Sequence, residues 1–190
     1  KTIEDRILLG AIQTDRSDAN YPSFSFQPHG WKAQLPLMNS SSMVSEIAPI
    51  VLYLRQVVSI GDVLIIEEPE SHLHPAMQVE LVRQLAAVVN SGVRIILTTH
   101  SEWVLEALAN LVHLSDVEDA KRTGSLTEEP TLDREDVGVW LFEQQPDKLS
   151  SRVKELPLDV DLGGFASGYD RIARQTYNRW VDIENLLQVE

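Results

Sequence analysis

Short apolar runs alternate with amphipathic helical segments in the centre of the chain. The two runs, Val63–Ile66 and Val93–Leu97, have the continuity of strands that are covered on both faces in a parallel sheet. Apolar residues at helical spacing follow each run, one stripe after Pro75 and one after Ser101, and both residue types favour helix starts. Strand, helix, strand and helix joined by short loops predict an α/β fold with parallel connections.

A further helix and a β-rich segment are predicted upstream. Apolar residues recur at helical spacing over Met43–Val58. A helix start near Ser45 would place Pro49 in the first turn, where a missing N–H is tolerated. Residues 1–38 predict a β-rich lead-in segment, in which Trp31–Leu37 is the returning strand of a hairpin.

Residues 115–190 predict a C-terminal extension. Residues 115–136 are polar and acidic, which is typical of a loop or a flexible insertion. Val137–Phe142 predicts a strand, with Arg152–Leu158 as its partner. A turn precedes a closing amphipathic helix; the turn contains Gly163, Gly164 and Gly168, and the apolar residues of the helix are Ile172, Tyr177, Trp180, Ile183 and Leu187.

Composition and charge narrow the class of protein. The 190 residues are 43% hydrophobic and 24% charged, which is typical of a soluble globular domain. The net charge of -13 makes unspecific binding to a phosphate backbone by this chain unfavourable. There is no cysteine, so disulfides and thiolate metal sites are excluded. No apolar run is long enough to span a bilayer and no signal peptide opens the chain, so we expect a cytoplasmic protein without membrane contact.

Ionisable side chains follow both central strands at the points where the strands end. Glu67 and Glu68 come after the first strand, and Thr99 and His100 come after the second. The carboxyl ends of parallel strands meet at one edge of a sheet, so we expect the two loops to meet. Neighbours on a strand point to opposite sides, so one glutamate can hold a hard cation such as Mg²⁺ while the other accepts a proton from an attacking water. His100 can donate a hydrogen bond to a developing phosphoryl charge.

The order and spacing of three motifs resemble a known family. Val63–Pro69 resembles a Walker B segment, Ser71–Pro75 resembles the D-loop that follows it, and Thr98–Ser101 resembles the switch-histidine loop, or H-loop. Together they resemble the ABC-type ATPases, and within them the AAA-like ATPases related to the OLD, RecF and Rad50 proteins. The wording EEPESHLHP with a downstream TTHS is particularly similar to the OLD-like group.

A fourth segment, Asn39–Met43, lies where this family carries its signature motif. Its hydroxyl groups, on Ser40, Ser41 and Ser42, precede a predicted helix, and a helix N-terminus favours anions. In the family this site contacts the γ-phosphate bound by the opposite protomer. The segment lacks the usual glycines and glutamine, and a plain serine helix cap is the alternative interpretation.

The resemblance implies roles for individual residues. Glu67 takes the position of the acid that supports Mg²⁺, which is more often Asp in the superfamily, and Glu68 that of the catalytic base. His100 takes the position of the γ-phosphate sensor. Ser71 and His74 belong to the D-loop that faces a dimer partner. The implied cofactors are therefore ATP and Mg²⁺, and the implied assembly is a homodimer through the signature motif and the D-loop.

The resemblance also implies the fold and the domain organisation. Residues 39–114 form the C-terminal core of an ABC-ATPase-like domain, which is half of a P-loop NTPase domain with a largely parallel sheet flanked by helices. Residues 1–38 lead into this core, and residues 115–190 form an α/β appendage.

A nucleotide site of this kind needs a phosphate-binding loop, GxxxxGK[ST], whose amides surround the phosphates. None of the nine glycines begins this motif, and no Gly-Lys pair occurs. We therefore expect the chain to be the C-terminal portion of a longer ATPase, to need the N-terminal half of that protein as a partner, and to be inactive alone. The resemblance also allows a nucleic-acid or nuclease partner in the longer protein.

The residues also allow two other functions. One is a metal-dependent hydrolase that uses His72, His74, His100 and the nearby glutamates as ligands of Zn²⁺ or Mn²⁺. The other is a non-catalytic interaction or regulatory domain that retains the ATPase fold.

Overall fold

The computed structural model describes residues 3–15, 21–145, 149–159, 164–165 and 167–187. A π-helical turn, Glu4–Leu8, precedes the first strand, and short 3-10 turns lie at Leu37–Asn39, Asp119–Lys121, Gly124–Thr127 and Arg134–Asp136. The strands are β1 (Gly10–Asp15), β2 (Ser23–Pro28), β3 (Leu35–Pro36), β4 (Val63–Glu67), β5 (Arg94–Thr98), β6 (Trp140–Gln144), β7 (Ser151–Glu155), β8 (Leu158–Asp159) and β9 (Gly164–Phe165). The helices are α1 (Ser42–Gln56), α2 (Pro75–Asn90), α3 (Glu102–Ser115) and α4 (Tyr169–Leu187).

The fold is α/β, as predicted. Strands β4 and β5 pair in parallel with α2 between them along the chain. The other strand pairings in the described ranges are antiparallel: β1 with β2, β2 with β3, β6 with β7, and β8 with β9. Parallel pairing within those ranges is therefore limited to the two strands that carry the candidate chemistry.

The lead-in residues form a three-stranded antiparallel sheet. The predicted returning strand over Trp31–Leu37 is wrong in extent, because only Leu35–Pro36 pairs with β2. The main partner of β2 is β1, which the sequence pattern did not indicate. Strand β1 has a mixed pattern of apolar and polar residues, and its assignment depends on the pairing with β2.

Helix α1 begins earlier than predicted. Ser41 is its N-cap, and its hydroxyl accepts a hydrogen bond from the Val44 N–H at 3.4 Å. Pro49 therefore lies inside the helix and not in its first turn. It cannot donate the hydrogen bond that the Ser45 carbonyl accepts in a regular helix. The helix continues because Ile47 and Val51, on either side of Pro49, are buried in the core.

One hydrophobic core joins the lead-in sheet to the central elements. Ile12 of β1, Ile47 of α1, Ile66 of β4 and Leu81 of α2 belong to the same buried cluster. A polar contact connects the same parts, because the Arg55 guanidinium donates to the Ile12 carbonyl at 2.9 Å. The lead-in strands thus pack against the elements that carry the motifs.

The polar segment after α3 packs against the helices. A loop was expected, but its interpretation as a flexible insertion is wrong, since Leu132 is buried against α2 and α3. The Leu132 N–H donates to the Leu111 carbonyl at 3.3 Å, and the Asn90 amide donates to the Thr131 carbonyl at 3.0 Å. Arg83 of α2 also forms an ion pair with Glu129. The polar and acidic composition of this segment gave no indication of these contacts.

One face of the parallel strand pair is exposed, so the predicted burial on both faces is wrong. Leu64, Ile66 and their neighbours on β5 face the core. Val63 (46% exposed) and Ile65 (67% exposed) of β4, together with Ile96 (55% exposed) of β5, point to the other side. Within the described residues, helices and the lead-in sheet cover one side only. We call Val63, Ile65 and Ile96 the exposed sheet face.

The C-terminal extension contains the predicted strand pair and helix. Strands β6 and β7 form an antiparallel hairpin. Helix α4 exposes apolar and aromatic side chains, with the rings of Tyr177 and Trp180 stacked at 6.4 Å. Of the predicted glycine turn, Gly163 lies outside the described residues, whereas Gly168 has a φ of 87°. None of the helices in the described ranges is both long and apolar enough to cross a bilayer.

The difference between the core and the exposed sheet face can be tested with two isoleucines. Ile47→Ala removes a side chain with 0% exposure, so we expect the free energy of unfolding to fall by about 2–5 kcal/mol. Ile65→Ala removes a side chain with 67% exposure, so we expect a change of about 0.5 kcal/mol or less. Urea denaturation of the 190-residue chain measures both, and equal losses would contradict the exposure of Ile65.

Candidate active site

The loops after β4 and β5 meet at the carboxyl edge of the parallel pair. Glu67 pairs with Thr98 in the strand register. The Glu68 N–H then donates to the Thr98 carbonyl at 3.1 Å and contacts the Thr98 hydroxyl oxygen at 3.2 Å. The loop that carries Glu68 is thereby attached to the strand that ends just before His100, as the sequence pattern indicated.

Glu68 and His100 lie side by side. The Nε2 atom of His100 is 3.4 Å from Oε1 of Glu68. The side chains are 50% (Glu68) and 84% (His100) exposed. An exposed ion pair adds little to stability, so this contact is not what holds the loops together. It places a carboxylate and an imidazole nitrogen where both can reach a bound molecule.

The backbone of Glu68 is in the left-handed region, with a φ of 41°. For a residue other than glycine this conformation costs about 1–3 kcal/mol and occurs preferentially at functional sites. Ser71 stabilises the turn, because its N–H and its hydroxyl both donate to the Glu68 carbonyl, at 3.1 and 2.9 Å. The turn begins where β4 ends, at Glu67, so Glu68 is the first residue outside the strand.

Glu67 lies on a different side of the strand. Residues of β4 alternate between faces, so exposed Glu67 shares its face with Val63 and Ile65. The expectation that the two adjacent glutamates point to different places therefore agrees with the burial pattern along β4.

An open cleft of about 420 Å³ lies in front of Glu68 and His100. Its other lining residues are Glu70, Ser71, Gln78, Ser101, Glu102 and Trp103. Three of the lining residues are glutamates, so the cleft is acidic. Of the residues singled out from the sequence, Glu68, Ser71 and His100 line the cleft, whereas Glu67, His74 and the three serines of the signature-like segment do not.

The signature-like serines lie at the start of α1. Ser41 caps the helix, and the Ser40 hydroxyl donates to the Pro36 carbonyl at 3.4 Å. Ser42 is the first helical residue and is exposed. The alternative interpretation, a serine helix cap, is thereby confirmed at Ser41, and the anion-binding role of this segment stays a prediction.

The two histidines of the D-loop-like segment have separate partners. His74 caps α2, where its Nδ1 accepts a hydrogen bond from the Ala76 N–H at 3.3 Å. His72 Nε2 is 3.8 Å from a Glu46 carboxylate oxygen on α1. Across the part of the chain that the structure describes, no three His, Asp or Glu side chains gather as a metal-binding group. The alternative of a Zn²⁺ or Mn²⁺ hydrolase therefore gains no support.

Glu70 has a role at the site that the sequence did not indicate, since it appeared there only as one of the glutamates of the metal-site alternative. It is only 5% exposed, although it lies in a polar loop. Its Oε1 accepts hydrogen bonds from the Thr99 hydroxyl and, at 2.9 Å, from the His100 N–H. Its Oε2 is buried without a hydrogen-bond partner, and leaving a buried polar group unsatisfied costs about 1–3 kcal/mol. The sequence signal was weak, because Glu70 is one of several charges in the loop and its partners follow β5.

A second contact joins the same two loops. The Ser101 hydroxyl donates to the Gln78 side-chain oxygen of α2 and accepts from the Val104 N–H at 3.4 Å as the N-cap of α3. The Gln78 amide in turn donates to the Leu73 carbonyl at 2.9 Å. The predicted cap at Ser101 is confirmed, and its link to α2 was not visible from the sequence.

The fold and the cleft define an α/β protein whose candidate site contains carboxylates and an imidazole at the carboxyl edge of a parallel strand pair. The model of the AAA ATPase domain family matches residues 7–105, just over half of the 190-residue chain. The chain belongs to this family. The match spans β1 through the start of α3, and so includes every element around the cleft. The predicted membership among AAA-like ATPases is confirmed.

A solved structure shows the same fold. It comes from work on the structural biochemistry of ATP-driven dimerization and DNA-stimulated activation of SMC ATPases. The TM-score is 0.52 with 9% sequence identity, and the match covers 88% of this chain and 82% of that chain. At this identity the likeness shows the fold alone. No curated protein matches the chain significantly.

The backbone conformation of Glu68 can be tested by comparing two variants. Glu68→Gly and Glu68→Ala both remove the side chain, but glycine adopts the observed φ of 41° without strain. We expect the glycine variant to be more stable to urea by about 1 kcal/mol.

The same pair at Glu67 is the matched control. Glu67 lies in an extended strand, where glycine is less stable than alanine by about 0.5–1 kcal/mol. We therefore expect the sign of the difference to reverse. A glycine variant at Glu68 that is no more stable than the alanine variant would contradict the left-handed backbone.

Proposed function

We propose that the chain supplies the Walker B, D-loop and H-loop side of an Mg²⁺–ATP hydrolysis site of the ABC type, as in the OLD-like group that its motifs resemble. The observation that carries this proposal is the 3.4 Å approach of Glu68 and His100 at the carboxyl ends of two parallel strands. Membership in the AAA ATPase domain family supports nucleotide chemistry at this edge.

Glu68 is the proposed general base. Its carboxylate faces the cleft and is half exposed, so an attacking water has access to it. A positioned base that takes the proton from this water contributes about 10²–10⁴ in rate. The left-handed backbone of Glu68 supports this role, because such conformations occur preferentially at functional sites.

His100 is the proposed γ-phosphate sensor. Its imidazole lies over the same cleft and donates a hydrogen bond to a phosphoryl oxygen, where negative charge is stabilised during transfer. The contact of its Nε2 with Oε1 of Glu68 keeps the proposed sensor and the proposed base side by side at the cleft.

Glu67 is the proposed Mg²⁺-supporting acid, directly or through water. Mg²⁺ in phosphoryl-transfer sites takes one or two carboxylates together with phosphate oxygens, and an exposed carboxylate paired in register with Thr98 fits this requirement. When bound, Mg²⁺ neutralises charge on the phosphates. The chain's own contribution is a single carboxylate on the side of β4 opposite the core.

A phosphate-binding loop from outside these 190 residues completes the proposed site. Glu68, Glu70 and Glu102 make the cleft acidic, so the cleft alone repels a triphosphate. The exposed sheet face supports the presence of a covering segment, because Ile65 and Ile96 are apolar and lie beside Glu67. We propose that the N-terminal half of the longer ATPase packs on this face and brings the loop to Glu67.

We further propose that the active form is a homodimer. Ser40, Ser41 and Ser42 lie outside the cleft, at the N-terminus of α1. This position supports a role for them at the γ-phosphate of an opposite protomer and not at that of their own. Ser71 and His74, in the loop between β4 and α2, are the proposed D-loop residues of the same interface. The SMC ATPase with the same fold is described as dimerizing in an ATP-driven manner.

The role of Glu68 is tested by turnover in the longer protein. Glu68→Gln keeps the shape of the side chain but removes the base, so we expect kcat to fall by at least about 100-fold while ATP still binds. Glu106→Gln, on an exposed position of α3, is the control and retains the activity. We expect no turnover from the isolated 190-residue chain.

Two outcomes would contradict this assignment. One is turnover by the isolated chain that Glu68→Gln abolishes, because the phosphate-binding loop would then be unnecessary. The other is unchanged turnover of Glu68→Gln in the longer protein. A longer protein without any GxxxxGK[ST] motif would favour the non-catalytic interaction domain instead.

Dimerization is tested separately with the Glu68→Gln protein, which retains ATP. Light scattering after size exclusion should show a dimer with Mg²⁺–ATP and a monomer without it. Ser42→Glu places a negative charge against the γ-phosphate across the interface, so we expect it to abolish the dimer. Ser150→Glu, at an exposed position directly before β7, adds the same charge and should leave the dimer intact.

A further inference from the structure

The cleft contains one buried carboxylate that the proposed hydrolysis does not use. Glu70 is 5% exposed and lies two residues after the proposed base. Its side chain reaches from the loop after β4 to the loop after β5, where Thr99 and His100 are its partners. Buried polar groups of this kind call for an explanation.

A single oxygen of Glu70 organises three consecutive residues. Oε1 accepts from the Thr99 hydroxyl and from the His100 N–H. The Thr99 hydroxyl oxygen in turn accepts from the Ser101 N–H at 3.0 Å. These hydrogen bonds therefore attach the backbone of the His100 loop to the loop that carries Glu68.

His100 needs such a support, because its imidazole is 84% exposed and has little protein packed around it. An exposed side chain is positioned by its backbone and by its few polar contacts. Hydrogen bonds to a charged acceptor are stronger than those between neutral groups. The anchor at the His100 N–H thus fixes the backbone from which the imidazole extends toward Glu68.

We propose that Glu70 is a positioning residue, which holds the His100 backbone so that the imidazole stays against Glu68 over the cleft. The proposal rests on the proposed ATP hydrolysis for its catalytic consequence. Its structural part, the anchoring of the His100 loop, stands independently of that function. The competing explanation is that Glu70 only stabilises the fold, without a specific effect on His100.

A double-mutant cycle in the longer protein separates these explanations. Glu70→Ala should lower kcat by about 10- to 100-fold, because a shift of about 1 Å in a catalytic group has effects of this size. The KM for ATP should change less than kcat. In a His100→Ala background, Glu70→Ala should cause less than about a twofold further loss, because the residue through which it acts is already gone.

Three further variants serve as controls and as a safeguard against misfolding. Glu70→Gln keeps an oxygen for both hydrogen bonds and should retain most of the turnover. Glu106→Ala, an exposed glutamate on α3, should behave as the unsubstituted protein. Thr99→Val replaces the hydroxyl with a methyl group and is used if Glu70→Ala does not fold. It should lower kcat in the otherwise unsubstituted protein and cause little further loss in the His100→Ala background.

Hydrogen exchange provides a readout that needs no ATP. Without its acceptor, the His100 amide should exchange faster in Glu70→Ala than in Glu70→Gln or Glu106→Ala, as measured by mass spectrometry of the peptide that contains it. If the longer protein does not hydrolyse ATP, the proposed function fails while this measurement still decides the anchoring. Multiplicative losses in the cycle, or unchanged exchange at His100, would overturn the positioning role.

Discussion

The parallel pairing of β4 with β5 is the constraint on which the candidate site depends. Its register pairs Glu67 with Thr98. The loops that begin at Glu68 and Thr99 therefore start side by side at the same edge of the sheet. The core side of the pair is secured by Ile66 and its neighbours against α1 and α2. A slip of one residue would turn Ile66 outward and separate the two loops. The same strand register is therefore required both for the packing of the core and for the placement of Glu68 and His100.

Two local features at this edge are unfavourable for stability and consistent with function. Glu68 has a left-handed backbone, and Glu70 keeps a carboxylate oxygen buried without a hydrogen-bond partner. Both lie in one short turn between a strand and a helix that are otherwise regular. Such concentrations of strain and unsatisfied polarity are expected at sites selected for chemistry rather than for stability. The surrounding core supplies the stability that maintains them.

The parallel pair is also asymmetric. One side is packed against helices, whereas Ile65 and Ile96 are exposed on the other. The exposed side carries Glu67, and the loop edge carries Glu68 and His100. Under the proposed function the nucleotide lies between these groups and a phosphate-binding loop packed on the exposed side. Such a loop is needed because the acidic cleft alone repels the phosphates of the nucleotide.

The sequence by itself determined the α/β class, the central strands, the helix cap at Ser101, and the meeting of the loops that carry Glu68 and His100. These follow from local patterns, because strand runs, caps and motif order are encoded within a few residues. Only the tertiary structure decided the pairing of β1 with β2, the packing of Leu132 and the exposure of Ile65. It also decided the burial of Glu70 under His100, a contact across 30 positions of the chain. Each of these depends on partners distant in sequence, which no local pattern specifies.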